Sequence, residues 1–421
     1  MKLTKDVVCC VVDSGGSYVS LAQRLSKEYK TVYYTCPSWV DAYPRMNKPY
    51  IGQGLEGIEV IDSPWPVYDE IDLWVFPDTY YGDLQEFLIS QGEIVWGSRN
   101  GEELELNRDA LKEHMKSLGL PVNKYVTIVG FENLKVYLQE NDGVYVKINK
   151  WRGTVESFYS KNWTMIKPEI DELEHHLEGL GDYIEFIVEQ PIEAITESGY
   201  DGFTIEGQYP ESSLYGIEVK DRAYVGEVIK YIEISPLITD FNSKMSDTFK
   251  KYGYRGFFST EIRIDKNKVP YMIDFTARTP CPPGEIYLEL YKNLGEIIWA
   301  GANGSIVPSQ FTGKFGVELL MESEWACHHF QPVYFPQKYA SQIKLKKNMI
   351  MNGTNYCIPQ SYESNDIGGV IGIGDTLEEA VNNCLSAADS IEGNGINIAK
   401  HTLEDAQGEL EKLKSLSKDN L

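Results

Sequence analysis

What this chain can fold into is constrained first by its opening, DVVCCVVDSGGSYVSLAQRLSKEYKTVYYT at residues 6–35. An apolar run of strand length is followed by Asp13-Ser14-Gly15-Gly16, a helical stretch and a second strand, and the alternation continues through DLWVFPD, LQEFLISQG and EIVWGS. Strands that alternate with helices are joined by crossovers and line up in parallel, so residues 1–100 predict a parallel α/β layer. Successive strand side chains point to opposite faces, which separates the adjacent Cys9 and Cys10. The turn DSGGSY has two readings: a tight βα turn, or a set of backbone N–H groups offered to an anion at the start of the helix.

Beyond this layer, NRDALKEHMKSLGLPV carries Asn107 at a capping position, Ala110, Leu111, Met115 and Leu118 at helical spacing, and GLP as a terminator. GVYVKINKWRGTVESFY reads as a strand ending in Lys147, a turn with Arg152 and Gly153, and another strand. A lysine inside an apolar strand either snorkels to water or meets phosphates. In YIEFIVEQPIEAITESGYDGF, Glu189 and Glu193 flank Gln190-Pro191-Ile192, where proline fixes a bend and removes a donor. CPPGEIYLELYKNLGEIIWAGANG reads as a helix pair or one long helix. Residues 310–400 are strand-rich, with one helix whose Thr376 and Glu379 form a capping-box pattern. Leu403, Ala406, Leu410 and Leu413 suggest a charged amphipathic helix at the end.

The stretch YMIDFTART, Tyr271 to Thr279, sets Met272, Asp274, Thr276 and Arg278 on one face of a strand and Ile273, Phe275 and Ala277 on the other. With FFSTEIRIDKNKVPY before it, the segment predicts a hairpin. If its turn centres on Lys266 and Asn267, Glu261 falls opposite Met272. Glu261 and Asp274 are then diagonal neighbours, close enough to share one cation, and an arginine beyond them suits a phosphate or carboxylate bound to that cation. An edge strand wetted on one side would carry the same alternation.

The chain has 421 residues, 42% hydrophobic, enough for two to four domains with ample core. Its formal net charge of -24 disfavours nonspecific nucleic-acid binding, which needs clustered lysine and arginine. No apolar run approaches a membrane span, and the opening is too short and too soon interrupted by Asp13 for a secretory signal. With seven cysteines and no C-x-x-C pair, a cytoplasmic protein with reduced thiols is expected. ACHHF at residues 326–330 has no second cluster at ligand spacing.

The order of these features resembles the ATP-grasp superfamily, and within it the glycinamide ribonucleotide synthetase (phosphoribosylamine-glycine ligase) family. The likeness runs from DSGGSYVSLA through WGSRNGEELELNRDALKEHMKSLGLPV, IVEQPIEA and EIRIDKNKVPYMIDFTAR to SNDIGGVIGIGDTLEEAVNN. The resemblance implies an N-terminal α/β domain at 1–100 and a two-lobed ATP-grasp domain at 101–310, with lobes near 120–187 and 188–310. A small strand-rich α+β domain at 311–400 and a charged helix or tail at 401–421 complete the expected organisation. It implies ATP and magnesium, or manganese in its place, as cofactors. Arg108 stands where the family has its first ATP-contacting lysine, and Lys147 matches the second. Glu189, Gln190 and Ile192 resemble the adenine-binding hinge, and Glu193 matches the ribose-binding acid, with Glu197 as the alternative. Glu261 and Asp274 match the magnesium carboxylates, Thr276 stands where an asparagine usually adds a ligand, and Arg278 matches an arginine close to the transferred phosphate.

The implied reaction activates a carboxylate with ATP to an acyl phosphate, which an amine attacks to give an amide, ADP and phosphate. Small-molecule carboxylate and amine partners follow, in a monomer or homodimer. The chain departs from the family at its phosphate flap, NKWRGTVES, and at KDRAYVGEVIKYIEISP, which replaces the glycine-rich segment that holds phosphoribosylamine. Ser17 and Tyr18 also replace charged residues after the glycine pair. Gly15, Gly16, Ser17, Asp78, Lys220 and Arg222 are the candidate substrate contacts, and a substrate other than phosphoribosylamine is expected. The ordinary purine-biosynthesis ligase and a catalytically degenerate nucleotide-binding module are the alternatives.

Overall fold

The computed structural model describes residues 2–37, 47–150, 157–220, 222–359, 365–404, 406, 408 and 410. The turn with Arg152 and Gly153 and the final Leu413 therefore lie outside the described residues. The chain forms two compact units. One comprises Met1–Glu102, Ser198–Thr260 and Thr276–Leu421, the other Glu103–Glu197 and Glu261–Phe275.

The first unit opens with β1 (Val8–Val12), α1 (Val19–Leu25), β2 (Thr31–Thr35), β3 (Glu59–Val60), β4 (Leu73–Val75), α2 (Gly82–Ser90) and β5 (Val95–Trp96). The strands pair in parallel in the order β3-β2-β1-β4-β5. Cys9 joins a core with Val11, Val19 and Leu25, whereas Cys10 joins another with Val12, Trp74 and Leu88. Both faces of the sheet are thus covered, which is why β1 reads as a continuous apolar run.

The second unit contains α3 (Glu103–Leu106), α4 (Arg108–Ser117), β6 (Tyr125–Val129), α5 (Phe131–Glu140), β7 (Val144–Ile148), β8 (Ser157–Ser160), α6 (Trp163–Leu177) and β9 (Glu185–Glu189). Asn107 caps α4, its side-chain oxygen accepting the Ala110 N–H at 3.3 Å. The antiparallel order is β6-β9-β7-β8. Val144, Val146 and Ile148 of β7 and Phe186 and Val188 of β9 pack with Phe131, Leu134, Leu138, Ile166 and Ile170 of α5 and α6. The two-residue period then turns Lys147 and Glu189 to the opposite face.

The chain continues through β10 (Ala194–Ser198), β11 (Asp201–Ile205), β12 (Ser212–Val219), β13 (Ala223–Lys230), α7 (Pro236–Lys251), β14 (Arg255–Asp265) and β15 (Pro270–Thr276). Next come α8 (Gly284–Leu290), α9 (Leu294–Ala302), β16 (Phe315–Glu322), β17 (Gln331–Val333), β18 (Ile343–Leu345), β19 (Asn348–Met351) and β20 (Thr354–Cys357). β21 (Asp366–Gly374), α10 (Leu377–Ala388) and β22 (Asn397–Ile398) follow. Antiparallel pairing runs β14-β11-β12-β13-β16-β21-β18, and a small separate sheet has the order β17-β20-β19. The fold is therefore mixed α/β, with one parallel sheet beside antiparallel ones. The stretch after CPPG is a helix pair, and Thr376 caps α10 by accepting the Glu379 N–H at 3.1 Å.

The β14/β15 hairpin forms, but its turn is longer than expected. Asp265 N donates to Val269 O at 3.1 Å and Lys268 N to Asp265 O at 2.9 Å, with Lys268 at φ 61°. The Asp265 side chain accepts the N–H groups of Asn267 and Val269, which favours a three-residue turn over a two-residue one. At the turn Asp265 thus faces Val269, one position away from the pairing that would set Glu261 against Met272.

Leu403, Ala406 and Leu410 are buried. All seven cysteines are free thiols. Among the described residues, no helix is long and apolar enough to cross a membrane.

Candidate functional site

In the second unit, the sheet face opposite α5 and α6 carries Lys147 and Glu189 as near neighbours. Lys147 pairs with Ile187, and Tyr145 with Glu189, so the two charged groups are diagonal and 3.9 Å apart. Two residues of α4 join them. Arg108 and Lys112, four apart, lie on one side of the helix. Arg108 anchors the helix start: its N–H donates to Asn149 Oδ1 and its guanidinium to Ile148 O, both at 2.9 Å. A cavity with about 20 Å3 of water-sized room is lined by Glu105, Arg108, Lys112, Lys147, Glu189 and Asp274, together with apolar neighbours.

Lys112 Nζ lies 2.9 Å from Glu189 Oε1 and donates to Asn123 Oδ1 at 2.9 Å. Asn123 Nδ2 in turn donates to Glu189 Oε2 at 3.1 Å and to Gln190 O at 3.4 Å. Lys147 Nζ donates to Ile273 O at 2.5 Å. Burial pushes the Glu189 pKa up, yet the charges of Lys147 and Lys112 and the bonds from Lys112 and Asn123 outweigh it, so the carboxyl titrates below its ordinary value. Burial lowers the Lys112 pKa, with Lys147 adding to the effect and Glu189 opposing it.

The structure thus brings together Arg108, Lys147, Glu189 and Asp274, four of the residues singled out from the sequence. Glu261 lies on β14 of the same unit, outside the cavity lining. Gln190, exposed, and Ile192, half-buried, follow β9, and Glu193 is exposed. Glu197, the alternative acid, is paired with Arg263 Nε at 2.5 Å. Lys112 and Asn123 were missed. The available signal was the spacing of Lys112 from Arg108, which sets both on the same helical side.

The remaining candidates belong to the first unit. Its strand order reverses between β1 and β4, and open α/β sheets bind ligands outside the carboxyl ends of strands at such a reversal. The two loops there carry Asp13 to Ser17 and Asp78. Asp78 accepts Ser14 Oγ at 2.8 Å and lies 3.8 Å from Arg278 Nε. Arg278 also donates to Tyr18 Oη at 3.2 Å and Thr279 O at 3.3 Å. The loop amides do not all face outward. Asp13 accepts the N–H groups of Gly15, Gly16 and Tyr18 at 3.2, 2.8 and 2.7 Å and the Tyr34 hydroxyl at 2.9 Å. Burial and nearby Asp78, only partly offset by these bonds, raise its pKa to about 6. At Gly16, φ is 78° and an added Cβ would meet Ile51 Cδ1 at 2.4 Å, so the glycine is needed for the turn itself. Lys220 and Arg222 are exposed beside the β12/β13 turn, and Thr276 ends β15.

No protein-family model matches the chain, and no curated protein does. Solved structures do. A phosphoribosylamine-glycine ligase from Thermotoga maritima superposes with a TM-score of 0.68 at 15% identity, covering 93% of this chain and 98% of its own. The biotin carboxylase domain of 2-oxoglutarate carboxylase from Hydrogenobacter thermophilus, in complex with MgADP, ADP and bicarbonate, gives 0.64 at 13% identity, covering 96% and 93%. N5-carboxyaminoimidazole ribonucleotide synthetase from Thermotoga maritima gives 0.58 at 14% identity, covering 92% and 99%. The resemblance to ATP-grasp enzymes, glycinamide ribonucleotide synthetase included, thus extends to the fold of nearly the whole chain.

Proposed function

We propose that the protein is an ATP-dependent carboxylate-amine ligase, forming an amide through an acyl phosphate with release of ADP and phosphate. The observation that carries this reading is the cavity of the second unit, where Arg108, Lys112 and Lys147 meet Glu189 and Asp274 on a fold shared with nucleotide-dependent ligases. Arg108, Lys112 and Lys147 offer three cationic groups to an anionic ligand, with Glu105, Glu189 and Asp274 as their counter-charges, and fixed charges aimed at a transferring phosphoryl group need no reorganisation during reaction. The cavity has only about 20 Å3 of water-sized room, so it must widen to admit a nucleotide. Gln190, Ile192 and Glu193 then serve as base and ribose contacts.

The oxygen donors of Asp274 and Thr276 suit magnesium, a hard cation that keeps several waters and shares phosphate oxygens, and Glu261 is kept as a third donor although the longer turn takes it off the diagonal expected with Asp274. Among the described residues, no group of three or more His, Cys, Asp or Glu is disposed to hold a metal. Magnesium held there would neutralise phosphate charge during the transfer. Arg278 supplies further positive charge, with Asp78 orienting it.

Gly15, Gly16, Ser17, Asp78, Lys220 and Arg222 belong to the substrate side of the proposal. The amine or carboxylate differs from that of the purine ligase, because Tyr18 is buried and commits its hydroxyl to Thr279 O and Arg278. The domain scheme 1–100, 101–310, 311–400 and 401–421 is part of the same proposal, as is a cytoplasmic monomer or homodimer. The test is an ADP-release screen in which small carboxylates, amino acids included, are crossed with amines, followed by mass measurement of the product. Amine-dependent ADP release supports the ligase. Release without an amine, or none with any pair, counts against it, and efficient turnover of glycine with phosphoribosylamine restores the purine enzyme.

A further inference from the structure

We propose that Lys112 is a positioning residue that makes the nucleotide pocket select a purine with an exocyclic amine over one with a carbonyl at the same place. This rests on the nucleotide reading of the cavity. Lys112 is 5% exposed, one helical turn beyond Arg108, and its ammonium holds two partners at once: Glu189 Oε1 and Asn123 Oδ1, each at 2.9 Å. An asparagine amide can present either end, and Lys112 settles which. With Oδ1 taken, Nδ2 faces Glu189 Oε2 and the Gln190 carbonyl.

The result at the end of β9 is a cluster of acceptors. Glu189 is an ionised carboxylate, able only to accept, and the Gln190 carbonyl beside it likewise accepts. Lys112 takes one side of the buried Glu189 Oε1, and a carboxylate oxygen has a second lone pair with which to accept from a ligand. Adenine offers an N–H donor from its exocyclic amine, whereas hypoxanthine and guanine offer an oxygen. Oxygen against carboxylate leaves two acceptors facing each other, and a buried acceptor left unmatched is what gives such sites their selectivity. Without Lys112 the Asn123 amide is free to turn its oxygen toward Glu189 and the Glu189 carboxylate loses its nearest cation. The acceptor cluster then loses its fixed polarity.

The test is calorimetric titration of magnesium-ATP and magnesium-ITP into the full-length wild type, Lys112→Met and Lys112→Arg, with thermal unfolding to confirm that each is folded. The wild type is expected to prefer ATP by at least about tenfold. Lys112→Met should shrink that preference about tenfold or to parity, and Lys112→Arg should restore most of it. A lysine that only touched phosphate or only stabilised the unit would lower both affinities together. An unchanged ATP-to-ITP ratio in folded Lys112→Met therefore overturns the inference, as does a wild type that binds the two equally well. If Lys112→Met does not fold, Asn123→Leu is judged on the same ratio. A wild type that binds neither nucleotide overturns the nucleotide reading itself, and this inference with it.

Discussion

Buried acids in the two units behave in opposite ways. In the first unit, burial raises the pKa of Asp201 to about 6, and Tyr224 and Ser259, which donate to it at 2.6 and 2.7 Å, only partly offset the shift. Glu285 and Glu318, one on α8 and one inside the apolar strand β16, are also held above the ordinary range, chiefly by burial. Their nearest cation, Lys346, is shared with Asp366 and with Cys281 Sγ at 2.7 Å. In the second unit, Glu189 is as deeply buried and yet is lowered, because two lysines flank one carboxyl. Depth of burial does not decide the charge; the ratio of cations to acids does. In the first unit burial holds these acids above their ordinary range, whereas in the second two lysines hold Glu189 below it.

The comparison is most easily broken at Lys346. Its replacement by methionine would remove the cation that Asp366, Glu285 and Glu318 share, and losing one partner of a buried ionic cluster costs about 3–5 kcal/mol. Urea unfolding should register that loss, and an unchanged midpoint would mean that the acids need no counter-charge. A pH series tests the same core. Asp201 has a raised folded pKa, so the native state holds a proton that the unfolded chain releases, and its contribution to stability is present below about pH 4 and lost as pH rises through about 6. The total is on the order of 3 kcal/mol. Asp201→Asn should flatten that part of the stability profile between pH 4 and 6, and a profile identical to wild type would contradict the assignment.

On the side of the second unit, Glu261→Gln and Asp274→Asn should each cut magnesium-dependent ADP release at least about tenfold, since a neutral amide cannot replace a carboxylate charge. If neither changes nucleotide binding or turnover, the shared-cation reading of the hairpin fails. The smallest effect belongs to Thr276→Asn, expected to raise activity about two- to fivefold because the longer carbonyl is the better magnesium ligand. A fall in activity would indicate that the threonine hydroxyl has its own task.

The parts of the molecule legible in the sequence were those governed by local rules. The parallel layer follows from alternating elements, and the α4 and α10 caps from Asn107 and Thr376. The partners of Lys112 were not legible, because Asn123 and Glu189 lie on other segments and a lysine on a helix usually faces water. Glu318 is a milder case: a glutamate within the apolar run FGVELLME signals a buried acid, but nothing local names Glu285 or Lys346 as its neighbours. The hairpin turn was misjudged by one residue because the Asp265 side chain, invisible to spacing alone, binds two N–H groups and stabilises the longer loop.

The central claim is that the cavity of the second unit lined by Arg108, Lys112 and Lys147 binds ATP, and calorimetric titration of magnesium-ATP into the wild type and Lys147→Ala tests it most directly. A charge-assisted phosphate contact is worth about 1.5 to 3 kcal/mol. The account predicts saturable binding by the wild type, weakened about tenfold to a hundredfold in a Lys147→Ala protein that thermal unfolding shows to be folded. Equal affinity in the two proteins would mean that Lys147 serves only the fold through Ile273 and Glu189, and a wild type that binds no ATP would contradict the account at its base.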